Sequence, residues 1–323
     1  MSGPVSPVDT TAPREVAGPA GTEITDGRRT VVGGIPVSRS LPRARRRTVG
    51  AWCFVDHFGP TAVDRDGGAE ASMKVGPHPH IGLHTVTWVL DGEVLHRDSL
   101  GSEQLIKPGQ LNLMTAGRGV AHAEETPSGA TGLLHGLQLW VAQPESSRHG
   151  PAAFEHHAAL PEAEIPSLVA VVLVGEVAGV RSPARADTPL VGADLVATGP
   201  ADLPVEPAFE HAVLVIDGPL AVDGADVAPG SMVYLPPGRD ELGLAPGPGA
   251  HGAARALLLG GVPFGEPVLM WWNFVARTKE EMVEARSAWE AGDDRFGPVE
   301  SHLERIAAPP AVWDGPGMQP PEK

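Results

Sequence analysis

Between Thr85 and Leu90 the chain reads Thr85-Val86-Thr87-Trp88-Val89-Leu90, a β-branched and aromatic run without helical period. It stops at Asp91-Gly92 and resumes as Glu93-Val94-Leu95-His96. Such runs predict strands, and Asp-Gly between two of them predicts a hairpin. Pro108-Gly109 marks another turn, before Gln110-Leu111-Asn112-Leu113-Met114. The same order returns in Ala212-Val213-Leu214-Val215-Ile216, Asp217-Gly218, Pro229-Gly230 and Ser231-Met232-Val233-Tyr234-Leu235. The two Asp-Gly turns lie 126 residues apart and the two Pro-Gly turns 121. This spacing predicts an internal duplication, with one β-barrel per half.

The ends read differently. Residues 1–27 carry no strand pattern and read as a flexible tail, with ordered structure starting near Thr30-Val31-Val32. Near the other end, Thr278-Lys279-Glu280-Glu281 has the form of a helix-capping box. Met282, Ala285 and Trp289 follow at helical spacing and Gly292 is a natural stop, so a helix packed on a barrel is expected there. The expected division is a tail over 1–27, a first barrel over 28–150, a second over 151–276, and a helix with a Pro-rich tail over 277–323.

Composition narrows the class. The 323 residues include 40 Gly and 34 Pro, yet 42% are hydrophobic, which fits a turn-rich β-protein with a real core rather than a disordered chain. A net charge of −16 works against binding to nucleic acid or an anionic membrane. The basic run Arg43-Ala44-Arg45-Arg46-Arg47 has no aromatic platform beside it and reads as a solvated loop. With Cys53 as the single cysteine, neither an intrachain disulfide nor a thiolate cluster can form. No apolar stretch has membrane-spanning length and no export signal is legible, so a cytoplasmic protein is expected.

The candidate chemistry sits in two short strings, His78-Pro79-His80 and His122-Ala123-Glu124. On a strand, residues i and i+2 share a face. Two such strands facing each other would bring three imidazoles and a carboxylate to one point. That donor set, with positions left open, suits a divalent transition metal, with Fe(II), Mn, Ni and Cu all admissible. Shifting His78 and His80 by 126 lands on Pro204 and Glu206, and shifting His122 and Glu124 by 121 lands on Gly243 and Ala245. The second half therefore lacks a matching ligand set. Ten of the 13 histidines fall between His57 and His157, in keeping with one site in the first half. His96-x-Asp98 also has ligand spacing. His57 could line a cavity mouth or hydrogen-bond a loop, and His156-His157 reads as an exposed linker pair.

These residues resemble the pirin family, two-barrel members of the cupin superfamily. The resemblance rests on Val55-Asp56-His57-Phe58-Gly59-Pro60, Pro77-His78-Pro79-His80-Ile81-Gly82, His96-Arg97-Asp98-Ser99-Leu100-Gly101, Met114-Thr115-Ala116-Gly117-Arg118-Gly119, His122-Ala123-Glu124 and Gly136-Leu137-Gln138-Leu139-Trp140-Val141. It is specific over residues 30–145 and looser beyond. It implies an all-β bicupin of two face-to-face barrels with a short C-terminal helix, and metal in the first barrel only. It places the ligand role on His78, His80, His122 and Glu124, with iron as the usual metal and Mn, Ni, Cu or Zn as alternatives. It makes His96-x-Asp98 a framework motif. One position departs from the family pattern: His84 stands where Glu or Gln is common. Its parity with His78 and His80 would turn it toward the metal, as an outer partner of the ligands or as a fifth donor.

Two functions follow from the resemblance. One is a metal-dependent dioxygenase of the quercetin 2,3-dioxygenase kind, acting on a flavonol-like substrate and O2, with Glu124 as catalytic base. The other is a regulatory protein that docks on a metabolic enzyme or transcription factor, the metal being structural or redox-sensing.

Overall fold

A computed structural model describes residues 14–15, 21–63 and 72–310. The chain forms two β-barrels, each a large sheet closed by a four-stranded one, followed by a single α-helix among the described residues. In the first barrel the large sheet has seven strands, in the order Ala153–His157, Leu111–Thr115, Leu83–Asp91, Gly132–Ala142, Trp52–Val63, Ile35–Leu41, Arg28–Val32. Its small sheet orders Lys74–His80, Val120–Glu125, Val94–Asp98 and Glu103–Ile106. The second barrel repeats this plan. Ser231–Leu235, Glu210–Asp217, Ala254–Gly261, Leu190–Ala197, Leu168–Val174 and Glu162–Ile165 lie consecutively in its large sheet. Ala201–Pro204, Glu241–Pro246, Leu220–Val222 and Ala225–Val227 make the small one.

The Asp-Gly turns are not hairpins. Leu83–Asp91 belongs to a large sheet and Val94–Asp98 to a small one, and the same holds across Asp217-Gly218. Each Asp-Gly therefore steps the chain from large sheet to small, and each Pro-Gly steps it back. The turn residues are as expected, with Gly92 at φ 80° and Gly218 at φ 66°, but local sequence does not say which strand will pair. The identical placement of all four turns supports the duplication.

The two large sheets pack face to face. Their seam buries Trp52, Val86, Trp88, Leu137 and Leu139 of the first barrel against Leu190, Leu214, Met232, Leu257 and Leu259 of the second. Alternate residues of the same strands fill the interiors, such as Val213 and Val215 in the second barrel. Strands buried on both faces explain the near-continuous apolar runs in the sequence. Polar ties cross the seam as well. Trp52 Nε1 donates to the Val191 carbonyl at 3.0 Å, and the Gly50 amide donates to Glu210 Oε1 at 2.6 Å. Arg46, expected in a solvated loop, crosses too, its guanidinium 3.1 Å above the Tyr234 ring.

The sheets do not respect the boundaries expected at residues 27/28 and 150/151. Glu23–Asp26 pairs with Ser231–Leu235 and so joins the large sheet of the second barrel. Ala153–His157, which contains the supposed linker pair His156-His157, pairs with Leu111–Thr115 of the first. Most of the expected N-terminal tail, residues 1–13 and 16–20, lies outside the described residues, as does 311–323 of the C-terminal segment.

The chain end returns to the first barrel. The hairpin Leu269–Trp271/Phe274–Ala276 leads into the helix Lys279–Ala291. Thr278 caps the helix, its Oγ1 accepting from the Glu281 amide at 3.2 Å, and Gly292 ends it at φ 69°. The Glu281 carboxylate accepts from the Arg277 amide, one residue before the expected partner of a capping box. Met282, Ala285 and Trp289 are the buried face, packed with Trp271, Phe274, Ile81 and Ala121. No helix among the described residues is long and apolar enough to cross a membrane.

Candidate metal centre

The strands Lys74–His80 and Val120–Glu125 are antiparallel neighbours, with His122 directly opposite His78. Pleating then turns His78, His80 and His122 toward one point, where their ligand atoms lie within 4.8 Å of one another. All three are 0% exposed and Glu124 is 1% exposed. This buried His/Glu group could hold one metal ion.

Hydrogen bonds fix the ring orientations. His78 Nδ1 lies 2.9 Å from the Gly76 carbonyl and His80 Nδ1 2.9 Å from the Asn273 carbonyl. A carbonyl only accepts, so each Nδ1 carries the proton and each Nε2 presents a lone pair. His122 Nδ1 lies 3.3 Å from His96 Nδ1, while His96 Nε2 lies 3.1 Å from Asp98 Oδ2. The carboxylate accepts from His96 Nε2–H, leaving His96 Nδ1 to accept from His122 Nδ1–H. His122 Nε2 is then bare as well, 3.0 Å from His80 Nε2. The Nε2 atoms of His80 and His122 thus face each other without a proton between them, beside the ring of His78, an arrangement that a cation relieves.

Electrostatics agree. Burial pushes all three imidazoles well below their usual range, with neighbouring histidines adding to the effect. Neutral imidazole is the form that binds metal. Burial alone would raise the Asp98 carboxyl, but hydrogen bonds from His96 and Ser102 outweigh it and hold the group down.

Glu124 stands slightly apart. A β-bulge falls between His122 and Glu124, so the carboxylate is not in the three-histidine group but closes a second one with His122 and His96. Thr87 Oγ1 is 3.2 Å from Glu124 Oε1 and 2.9 Å from the Gln138 amide oxygen, while Gln138 Nε2 has no partner among the described residues. One hydroxyl proton serves one acceptor. With the Gln138 amide turned, its NH2 donates to Thr87 and Thr87 donates to Glu124 Oε1. Glu124 Oε2 still lacks a partner among the described residues. A buried carboxylate oxygen beside three converging imidazoles fits a divalent metal, because hard oxygen and borderline nitrogen donors together suit such ions.

His84 is elsewhere. Its parity with His80 is lost because the strand ends at His80 and a new one begins at Leu83, across Gly82 at φ 67°. A Cβ at Gly82 would lie 2.3 Å from the Val275 carbonyl, so the break also admits the C-terminal hairpin. His84 Nδ1 meets Thr115 Oγ1 at 2.9 Å and Nε2 meets Asp187 Oδ2 at 3.1 Å. Asp187 comes from the second half of the chain, so His84 ties the halves together rather than touching the candidate ligands. His57 faces His135, Nε2 to Nε2 at 2.6 Å.

Two participants escaped sequence reasoning. His96 shows ligand spacing, but its place behind His122 depends on the pairing of His96 with Glu124 across neighbouring strands. The Asn273 carbonyl comes from 193 residues beyond His80, and no local signal announces it.

Fold and cluster together define a two-barrel cupin protein whose metal-competent residues, among those described, lie in the first barrel. Residues 34–141 match the family model for pirin and residues 190–297 the model for the pirin C-terminal cupin domain. The chain belongs to the pirin family. It is 47% identical over 87% of its length, and 87% of the relative's, to a Pseudomonas aeruginosa protein named "Putative quercetin 2,3-dioxygenase". It is 37% identical to a pirin-like protein of Caulobacter vibrioides, covering 88% of this chain and 98% of that one. The crystal structure of quercetin 2,3-dioxygenase from Acinetobacter baumannii superposes with a TM-score of 0.84 at 41% identity, over 93% of this chain and 97% of that one.

Proposed function

We propose that this pirin binds one divalent metal, Fe(II) first among candidates, through His78, His80, His122 and Glu124, and oxidises a flavonol-like small molecule with O2. The observation that carries this reading is the convergence of three buried imidazoles beside the Glu124 carboxylate, whose Oε2 has no partner among the described residues. Names given to relatives at 47% and 41% identity point to the same reaction class. When bound, the metal would supply Lewis acidity and a means of bringing an enolate-like oxygen and O2 together.

The chain's own residues have separate tasks. Glu124 Oε2 accepts the proton of the substrate hydroxyl. Thr87, backed by Gln138, holds Oε1 so that Oε2 stays directed inward. His96 and Asp98 keep the proton of His122 on Nδ1, and Asn273 does the same for His80. Burial excludes water, which strengthens each of these interactions.

A second reading has its own support. At 0–1% exposure the four residues are sealed in the barrel, as expected for a metal that stabilises or senses redox state while the surface docks on a protein partner. Oxygen uptake by Fe(II)-loaded protein on adding quercetin, with His122→Ala as control, separates the two. Uptake that requires His122 is the expected result. With iron shown to be bound, absence of uptake would exclude quercetin as substrate and favour the regulatory reading.

A further inference from the structure

The second barrel has no metal-ligand cluster among the described residues, but it has a lumen. A cavity of about 410 Å³ opens at its mouth, a volume within the range of small-molecule sites. Pro204 and Glu206, the residues that the 126-residue repeat sets against His78 and His80, both line it. The cavity thus lies on the side of the second barrel that corresponds to His78 and His80, while Gly243 and Ala245, the counterparts of His122 and Glu124, line a separate pocket.

His211 reaches into this cavity from the strand Glu210–Asp217. It shares parity with Val213 and Val215, which face the barrel interior. The ring is 1% exposed, and neither Nδ1 nor Nε2 has a hydrogen-bond partner among the described residues. Leaving one buried donor and one buried acceptor unmet is costly, so a built site for a polar group is the economical explanation. Gly260 makes the space: a Cβ there would lie 2.7 Å from His211 Cδ2. Burial, with Arg239 nearby, pushes the imidazole down to about 4, so at neutral pH it offers one N–H and one lone pair.

The surroundings fix the chemistry of the occupant. Phe209 stands beside His211 at 6.1 Å between ring centroids, and Val205, Val191 and Leu258 complete an apolar wall. Glu176 and Arg181 line the mouth and neutralise each other at 2.6 Å, which leaves the Glu206 carboxylate as its net charge. An anion would meet Glu206 and a chain of net charge −16. We infer that the second barrel holds a small neutral aromatic molecule bearing a hydroxyl, bound to His211 through that hydroxyl and seated against Phe209. This site is independent of the metal centre and of the reaction proposed there.

The test is a titration of the metal-loaded protein with phenol, followed by calorimetry and by NMR of 15N-labelled histidine. Benzoate serves as the anionic probe of similar size. Saturable phenol binding is expected, with a dissociation constant on the order of 1 mM for so small a ligand. The His211 ring nitrogens should shift, and benzoate should bind at least about tenfold more weakly. Val205→Trp, which fills the cavity, and His211→Leu should each weaken phenol at least about tenfold. Phenol binding retained in either variant, or benzoate bound as tightly as phenol, overturns the assignment. If His211→Leu does not fold, the wild-type spectrum decides: saturation without a His211 shift, or no saturation, overturns it.

Discussion

The indole N–H of Trp88, on the first barrel, donates to Oδ2 of Asp194 on the second at 2.9 Å. The same carboxylate accepts from Arg255 Nε at 3.0 Å and Nη2 at 2.5 Å, and Asp194 is 1% exposed. Removing its charge leaves three N–H donors competing for one good acceptor oxygen. Asp194→Asn is expected to lower unfolding free energy by about 1–3 kcal/mol, and Asp194→Leu by more. Urea denaturation with unchanged metal content checks this; equal midpoints for wild type and Asp194→Asn would show that the tie is energetically idle.

At the metal centre, the base role of Glu124 separates from ligand binding by kinetics. Glu124→Gln keeps the shape and an oxygen donor but cannot take a proton. Quercetin-dependent oxygen uptake should fall by roughly 10²- to 10⁴-fold. Thr87→Val, which frees Oε1, should cost about tenfold, the worth of one hydrogen bond. Uptake in Glu124→Gln matching wild type at equal iron content would remove Glu124 from the reaction.

His84 gives a sharper contrast. Its partners are Thr115 and Asp187, so His84→Gln should leave metal stoichiometry as it is while lowering stability by about 1–2 kcal/mol. Metal analysis beside a thermal melt reads both quantities. A variant that loses metal but melts like wild type would return His84 to the ligand set.

Acid should weaken the fold through buried neutral histidines. Burial pushes both His57 and His211 from 6.5 down to about 4. Between those values the unfolded chain carries protons that the folded one does not. Stability from these groups is therefore at its full value above pH 6.5 and falls as pH drops toward 4. Each contributes about 3 kcal/mol across that window. His57→Gln should unfold with a shallower pH dependence than wild type between about pH 7 and 5. Parallel curves for the two proteins would contradict the assignment.

What the sequence revealed depended on how local the signal was. His78 and His80 were legible because pleating alone fixes the parity of residues i and i+2, and His122 joins them only because its strand pairs in register opposite His78. Thr278, Gly292 and the Met282–Ala285–Trp289 face were legible because a helix carries its start, stop and buried side within 15 residues. His84 misled because parity survives only while a strand runs unbroken, and Gly82 ends one. Asp91-Gly92 and Asp217-Gly218 announced turns correctly but not that they change sheets. The Asn273 carbonyl behind His80, the His96 ring behind His122, and the pairing of Glu23–Asp26 with Ser231–Leu235 rest on distant chain segments meeting. Tertiary packing decides those, and no window of sequence contains it.

The duplication has become irreversible. A fragment ending near residue 150 would lack Ala153–His157 from its own large sheet, and the carbonyl that orients His80. One beginning there would lack Glu23–Asp26. An ancestral single-barrel gene can double, but once the second barrel takes a strand from the N-terminal end and the first takes an orienting carbonyl from the C-terminal end, cutting the gene between them no longer yields two complete barrels. Selection must then act on the pair as one inheritable unit, so the second barrel is retained for the first barrel's sake even where its own chemistry drifts.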